Sequence, residues 1–145
     1  MKISAKAEYA CLALLALAQS GRAAPPLRIR DIARSRGIPE RYLVQILLLL
    51  KGAGLVASTR GASGGYRLAR PAAEINLREV LSAIDGPDLP PREPSSTPDS
   101  SSAHPSSAQV LAGVWEEVRQ AERCVLERTT LALLAAQATP QDWII

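Results

Sequence analysis

The chain predicts a mainly α fold with one small β-hairpin, ending in a long helix. Three observations predict it. Apolar residues recur at helical spacing through most of residues 3–51. They recur again, as a heptad-like row, in the last third of the chain. Between these stretches, two short β-prone runs flank a glycine-rich turn at 60–65. With 145 residues and 15.4 kDa, the chain makes one ordinary domain and at most an accessory element. It is large enough to bury about two-thirds of its unfolded surface without disulfide or metal staples. Aromatics are 3% and Phe is absent, so the core must be Leu, Ile, Val and Ala.

Residues 3–20 read as the first helix, with Ser4 as its cap and Gly21 as its stop. Ala24, Pro25 and Pro26 form a linker. Residues 29–36 form a short helix with Ile29, Ile32 and Ala33 on one face, broken by Gly37. A further helix runs over 39–51, with Pro39 in the first turn, where a missing N–H costs nothing. Residues 55–59 and 66–69 are the two strands. Asn76 and Glu79 are a capping pair for a helix over 77–84.

Residues 87–107 change character, with 6 Pro and 7 Ser in 21 positions. Such a segment buries too little to offset its ordering entropy, which predicts a disordered loop. A long helix follows over 108–128. Its apolar positions Leu111, Val114, Val118, Ala121 and Val125 repeat at 3, 4, 3, 4 and predict a dimerisation seam. Thr129 and Thr130 cap a last short helix over 131–137. Three units result: 1–86, the loop 87–107, and 108–137.

The net charge of +3 conceals an asymmetry. Residues 1–80 hold 13 Lys/Arg against 5 Asp/Glu, a balance of +8; residues 81–145 hold 4 against 9, a balance of −5. The first part suits a polyanion, most often nucleic acid. The acidic part suits self-association or regulation. Two Cys and one His cannot build a disulfide scaffold or a four-ligand zinc site. The longest apolar run, 10–18, is too short for a membrane span, and no signal peptide is visible. A cytoplasmic protein is expected. No nucleophile, metal or phosphate-loop motif points to an enzyme.

Helix, short helix, tight turn, second helix and hairpin, in that order, make a winged helix-turn-helix. The second helix of the pair fits the major groove of double-stranded DNA, braced by its neighbour. The hairpin tip reaches the adjacent minor groove. That role needs glycines for close approach and an arginine for the negative potential there. Arg60, Gly61, Ser63 and Gly64 supply both.

IRDIARSRGIPERYLVQILLLLKGAGLVASTRGASGGYRLAR, together with MKISAKAEYACLALLALA, resembles the Rrf-two family of bacterial transcription regulators. The likeness is dense over residues 1–87 and looser over 110–136. It implies a homodimer of winged-helix subunits whose long C-terminal helices cross, binding a palindromic operator, usually as a repressor. It implies that Arg60 is the wing arginine inserted into the minor groove. It also implies that Tyr42 and Gln45 lie on the recognition helix, with Arg41 at its start and Lys51 near its end.

The chain departs from that family in two places. Iron–sulfur members carry three cysteines in the loop that is 87–107 here, and this loop has none. Cys11 and Cys124 read as small buried hydrophobes. Glu8, Cys11, His104 and Cys124 do not match the family's ligand spacing, so no cofactor or metal is expected, and the signal would be an effector protein or a small ligand. The recognition helix has Val44 where an acidic residue is frequent, and Leu48 and Leu49 where polar residues are frequent. Val44 suits a thymine methyl. Two other readings compete: a protein-interaction module that lost DNA reading, and a redox- or iron–sulfur-responsive regulator with atypical ligands.

Overall fold

The computed structural model describes residues 2–21, 24–87, 104 and 106–138. Its helices are α1 (Ala5–Ser20), α2 (Ile29–Arg36), α3 (Glu40–Gly52), α4 (Leu77–Asp85), α5 (Ser107–Arg128) and α6 (Leu131–Gln137). Strands β1 (Val56–Thr59) and β2 (Gly65–Leu68) form the hairpin between α3 and α4. The mainly α class with a single hairpin is therefore present as expected.

α1 is apolar almost all round, the pattern of a helix enclosed by others. It packs against α2, α3, α4, α6 and β2. Its small buried residues Ala7, Ala10 and Ala13 let those neighbours approach closely. Ser4 holds its start: the Ser4 hydroxyl accepts the Ala7 N–H at 3.1 Å and donates to the Asp85 carboxylate at 2.9 Å. The first turn of α1 is thereby tied to the last turn of α4.

α2 has the expected bounds, and Gly37 ends it in the left-handed conformation (φ 66°). α3 starts one residue later than expected. Pro39 is its extended N-cap (φ −60°, ψ 128°), and the Pro39 carbonyl accepts the Tyr42 and Leu43 N–H groups at 3.1 Å. Proline needs no N–H to do this, so the cap suits it as well as the first turn would.

The hairpin is antiparallel, with Val56 opposite Leu68 and Thr59 opposite Gly65. Both strands sit one residue off the expected bounds: Leu55 precedes β1 as a buried anchor, its carbonyl accepting the Ala69 N–H at 3.0 Å. A third rung lies outside both strands. Leu27 and Tyr66 exchange two backbone hydrogen bonds, of 2.9 and 2.7 Å. The chain just before α2 thus pins the hairpin to the helix-turn-helix.

Asn76 caps α4, its side chain accepting the Glu79 N–H at 3.0 Å. The Glu79 carboxylate turns instead to Arg70, at 3.0 Å. α5 begins with a reciprocal capping box: Ser106 Oγ accepts from the Gln109 N–H, and Gln109 Oε1 accepts from the Ser106 N–H at 2.9 Å. α6 returns to the first unit. The Leu131 N–H donates to the Ile75 carbonyl at 2.9 Å, and both side chains are fully buried in the core that holds Leu14, Leu43 and Leu47. The Pro/Ser segment expected as a disordered loop lies, over 88–103 and at 105, outside the described residues.

Candidate nucleic-acid interface

α3 buries Leu43, Ile46, Leu47 and Leu50 completely. That inner face fixes the outer one. Arg41, Val44, Gln45 and Leu48, at i, i+3, i+4 and i+7, are all exposed. Tyr42 flanks them at 53% exposure, so it is no core aromatic. Lys51 is exposed near the end of the helix. The structure thus sets every predicted residue of this helix on its solvent side.

The hairpin tip carries Arg60, Gly61 and Ser63, all exposed. Gly64 differs from the expectation that it faces DNA, because it is buried. A Cβ there would sit 2.2 Å from the Thr59 carbonyl oxygen and 2.9 Å from that of Gly61. Gly64 therefore closes the turn, its N–H donating to the Gly61 carbonyl at 3.0 Å.

Sequence reasoning missed four contributors. Gly65 lies so close to the chain before α2 that a Cβ would meet the Leu27 carbonyl oxygen at 2.5 Å. Arg28, the N-cap of α2, donates from Nη2 to the Ala62 carbonyl in the hairpin tip. A cation is a poor choice beside the positive end of a helix, and that anomaly was the available signal that Arg28 serves something else. Arg30 and Arg34 add exposed positive charge on α2.

The cations of this face are free of ion pairs, as Lys2, Lys6, Arg67, Arg123 and Arg128 are elsewhere among the described residues. Among the described residues, Arg30, Arg34, Arg41, Lys51 and Arg60 have no carboxylate partner. Arg70, Arg78 and Arg119 are paired with Glu79, Glu127 and Glu116. The unpaired cations can screen phosphates without first breaking an ion pair.

α5 projects from the fold with no buried residue. Leu126 and Glu122 line the cleft toward α4, with Leu81 and Ser82 across from them. The seam residues Leu111, Val114, Val118, Ala121 and Val125 are all exposed.

The donor set does not suit an iron–sulfur cluster. Cys11 is half-buried on α1, but Cys124 is exposed and not the buried hydrophobe expected, because α5 buries none of its residues within the subunit. Burial, and after it the Glu8 carboxylate, push the Cys11 thiol up to about 11. His104 is exposed. Among the described residues, no group of three or more His, Cys, Asp or Glu is placed to hold a metal ion. Among them too, no helix is long and apolar enough to cross a membrane.

Residues 3–137 match the Rrf2 family model, described as iron-dependent transcriptional regulators. A Mycobacterium tuberculosis (strain H37Rv) protein, named provisionally as an HTH-type transcriptional regulator, is 43% identical over 141 residues, covering 97% of this chain and 85% of its own. The protein rrf2 of Nitratidesulfovibrio vulgaris is 33% identical over 140 residues, covering 96% and 90%. Among solved structures, CymR, the global cysteine regulator of B. subtilis, superposes with a TM-score of 0.78 at 29% identity, over 96% of this chain and 99% of that one. T. potens IscR superposes at 0.75 and 33% identity, over 96% and 89%. With a helix-turn-helix, a hairpin wing and a face of unpaired cations, the chain belongs to the Rrf2 family of DNA-binding transcriptional regulators and is not an enzyme.

Proposed function

We propose that the protein is a cytoplasmic homodimeric repressor that reads a palindromic operator and carries no iron–sulfur cluster. The face of α3 and the wing, cationic and without acidic partners, is the observation that carries this reading. Tyr42, Val44 and Gln45 face base edges in the major groove, and Arg41 and Lys51 hold phosphates. Arg60 enters the minor groove, where Gly61 and Ser63 let the backbone approach. Leu111, Val114, Val118, Ala121 and Val125 bury against the same residues of a second copy. A twofold dimer matches a palindrome because its two recognition helices are related by the same symmetry. Repression is the output that the family resemblance implies. The signal is an effector protein or a small ligand.

Selection from randomised DNA tests this, with the wild type and Arg60→Ala compared at two salt concentrations. A palindromic site should emerge. Arg60→Ala should weaken binding to it by about 1–3 kcal/mol, with relaxed preference at the minor-groove positions. Unchanged affinity removes Arg60 from the interface. Iron analysis of protein purified without oxygen tests the absent cluster.

A second reading has one observation in its favour. Leu48 and Leu49 are 60% and 38% exposed on α3, where a protein partner would cover them. It predicts a folded dimer that binds no DNA even at low salt.

A further inference from the structure

We propose that Val44 and Leu48 are specificity residues that read thymine methyl groups, so that each operator half-site carries two thymines about two base steps apart. This rests on the reading that α3 lies in the major groove.

The argument starts from the inner face of α3. With Leu43, Ile46, Leu47 and Leu50 fully buried, the helix cannot rotate to hide Val44 or Leu48. Val44 stays 43% exposed and Leu48 60% exposed, one turn apart on one line of the helix. Polar and charged neighbours, Arg41 and Gln45, share that line. Water gains nothing from the two aliphatic side chains, so their position calls for an apolar partner.

The surroundings choose the partner. Arg41, Lys51 and Arg60 are exposed and without carboxylate partners among the described residues, as are Arg30 and Arg34 on α2. The acids on these two helices are Asp31 and Glu40. A protein partner would have to supply many carboxylates and an apolar patch together. Duplex DNA supplies the negative charge along its backbones, and the major groove offers one apolar group, the thymine methyl. The other groove atoms are hydrogen-bond donors and acceptors, which an aliphatic side chain would desolvate without replacement. G·C pairs are therefore rejected where Val44 and Leu48 touch.

Spacing fixes the register. Four residues of helix rise about 6 Å. Successive bases on a strand are about 3.4 Å apart along the axis. A helix lying along the groove thus sets Val44 and Leu48 about two base steps apart. Gln45, on the same line, is free to pair with an adenine edge beside them.

The experiment uses the full-length protein and its selected site. Each thymine of the half-site is replaced in turn by uracil, which removes the methyl and leaves every hydrogen-bonding group in place. At two positions about two steps apart, affinity should fall about fourfold each, the worth of one buried methyl. Val44→Ala should lose the uracil effect at one position and Leu48→Ala at the other. Both side chains are exposed, so both variants should fold. If uracil is tolerated at every thymine, or if the half-site has no such thymine pair, the inference is overturned while DNA reading by α3 stands. If no specific site is found at low salt, both fall, and Leu48 becomes a residue of a protein interface.

Discussion

Two helices of this protein keep apolar side chains outside the core, in opposite electrical company. On α3, Val44 and Leu48 stand beside the neutral Gln45 and among Arg41 and Lys51, cations without acidic partners. On α5, Leu111, Val114, Val118 and Val125 stand among Glu116, Glu117, Glu122 and Glu127 with Arg119, Arg123 and Arg128 interleaved, a slight acidic excess, and Arg119 is paired to Glu116 at 2.7 Å. Gln120, and after it Arg119, hold the Glu116 carboxyl below the usual carboxylate range. Exposed apolar area alone says only that something should cover it. The surrounding charge says what. The α3 face attracts a polyanion, which the acidic residues of α5 would repel. A second copy suits α5, because a twofold contact brings the same apolar row against itself.

The hardest test of that division is Val118→Asp. A carboxylate in the middle of the seam would be buried without a partner, at a cost of about 3–5 kcal/mol. The dimer constant should therefore weaken by at least a hundredfold, and sedimentation should find a species of 15.4 kDa. Val118 is 45% exposed within the subunit, so the fold and its thermal transition should persist. A dimer of unchanged strength would move self-association to another surface and dissolve the contrast between the two helices.

Gly64→Ala probes the wing against α3. The added Cβ meets backbone, not a flexible side chain, so the turn must open. Overpacking of this kind costs about 1–3 kcal/mol, readable as a lower urea midpoint. Operator affinity should fall with it, since Arg60 rides on the displaced tip. Gly52 on α3 is the control. Open space surrounds a Cβ there, and Gly52→Ala should gain about 0.4–1 kcal/mol of stability. Lost stability with intact operator affinity for Gly64→Ala would remove the wing from recognition.

The elements were legible where the signal is local. Caps at Ser4 and Asn76, the stop at Gly37 and the bounds of α2 and α6 follow from residues within one turn of each other. What stayed hidden depends on distant partners. Nothing near Leu27 announces that it pairs with Tyr66, and prolines just before it argue for a linker. The return of α6 was hidden for the same reason, since Leu131 meets Ile75 only in the assembled core. At the candidate interface, α3's outward residues were named by the family resemblance, and their exposure on one side of the helix agrees with its period. The burial of Gly64 was not legible, because a Gly-Gly pair does not say which glycine gives room to a ligand and which to its own turn. Ser106 looked like one more residue of a Pro/Ser run, though Gln109 three residues on makes it a capping box.

Salt dependence sharpens the contrast further. Removing one cation that neutralises a phosphate should lower the slope of log affinity against log salt by about one. Arg41→Gln and Lys51→Gln, each titrated from low to moderate salt, should show that decrement. Arg119→Gln should leave the slope unchanged, because its charge is already engaged by Glu116 on α5. Equal slopes for all three variants would mean that pairing with a carboxylate does not decide which cations meet DNA.

The smallest effect separates the two thiols. Cys124 is exposed on α5, whereas Cys11 packs against the core on α1 with its thiol pushed up to about 11 by burial and by Glu8. The thiolate is the reactive form, and at pH 8 roughly one Cys11 in a thousand carries it. One thiol per chain should therefore react with iodoacetamide in the native protein, and the second only in urea. The same shift links stability to pH. Between the ordinary thiol value near 8.5 and the folded value near 11, the unfolded chain gives up a proton that the folded one keeps. The folded state then binds more protons, so stability is undiminished below that window and falls as pH rises through it. Cys11→Ala removes this alkaline decline. Its cavity lowers stability at every pH, so the slope and not the level is the readout. Parallel wild-type and variant profiles between those values would mean that Cys11 ionises as freely in the fold as in the open chain.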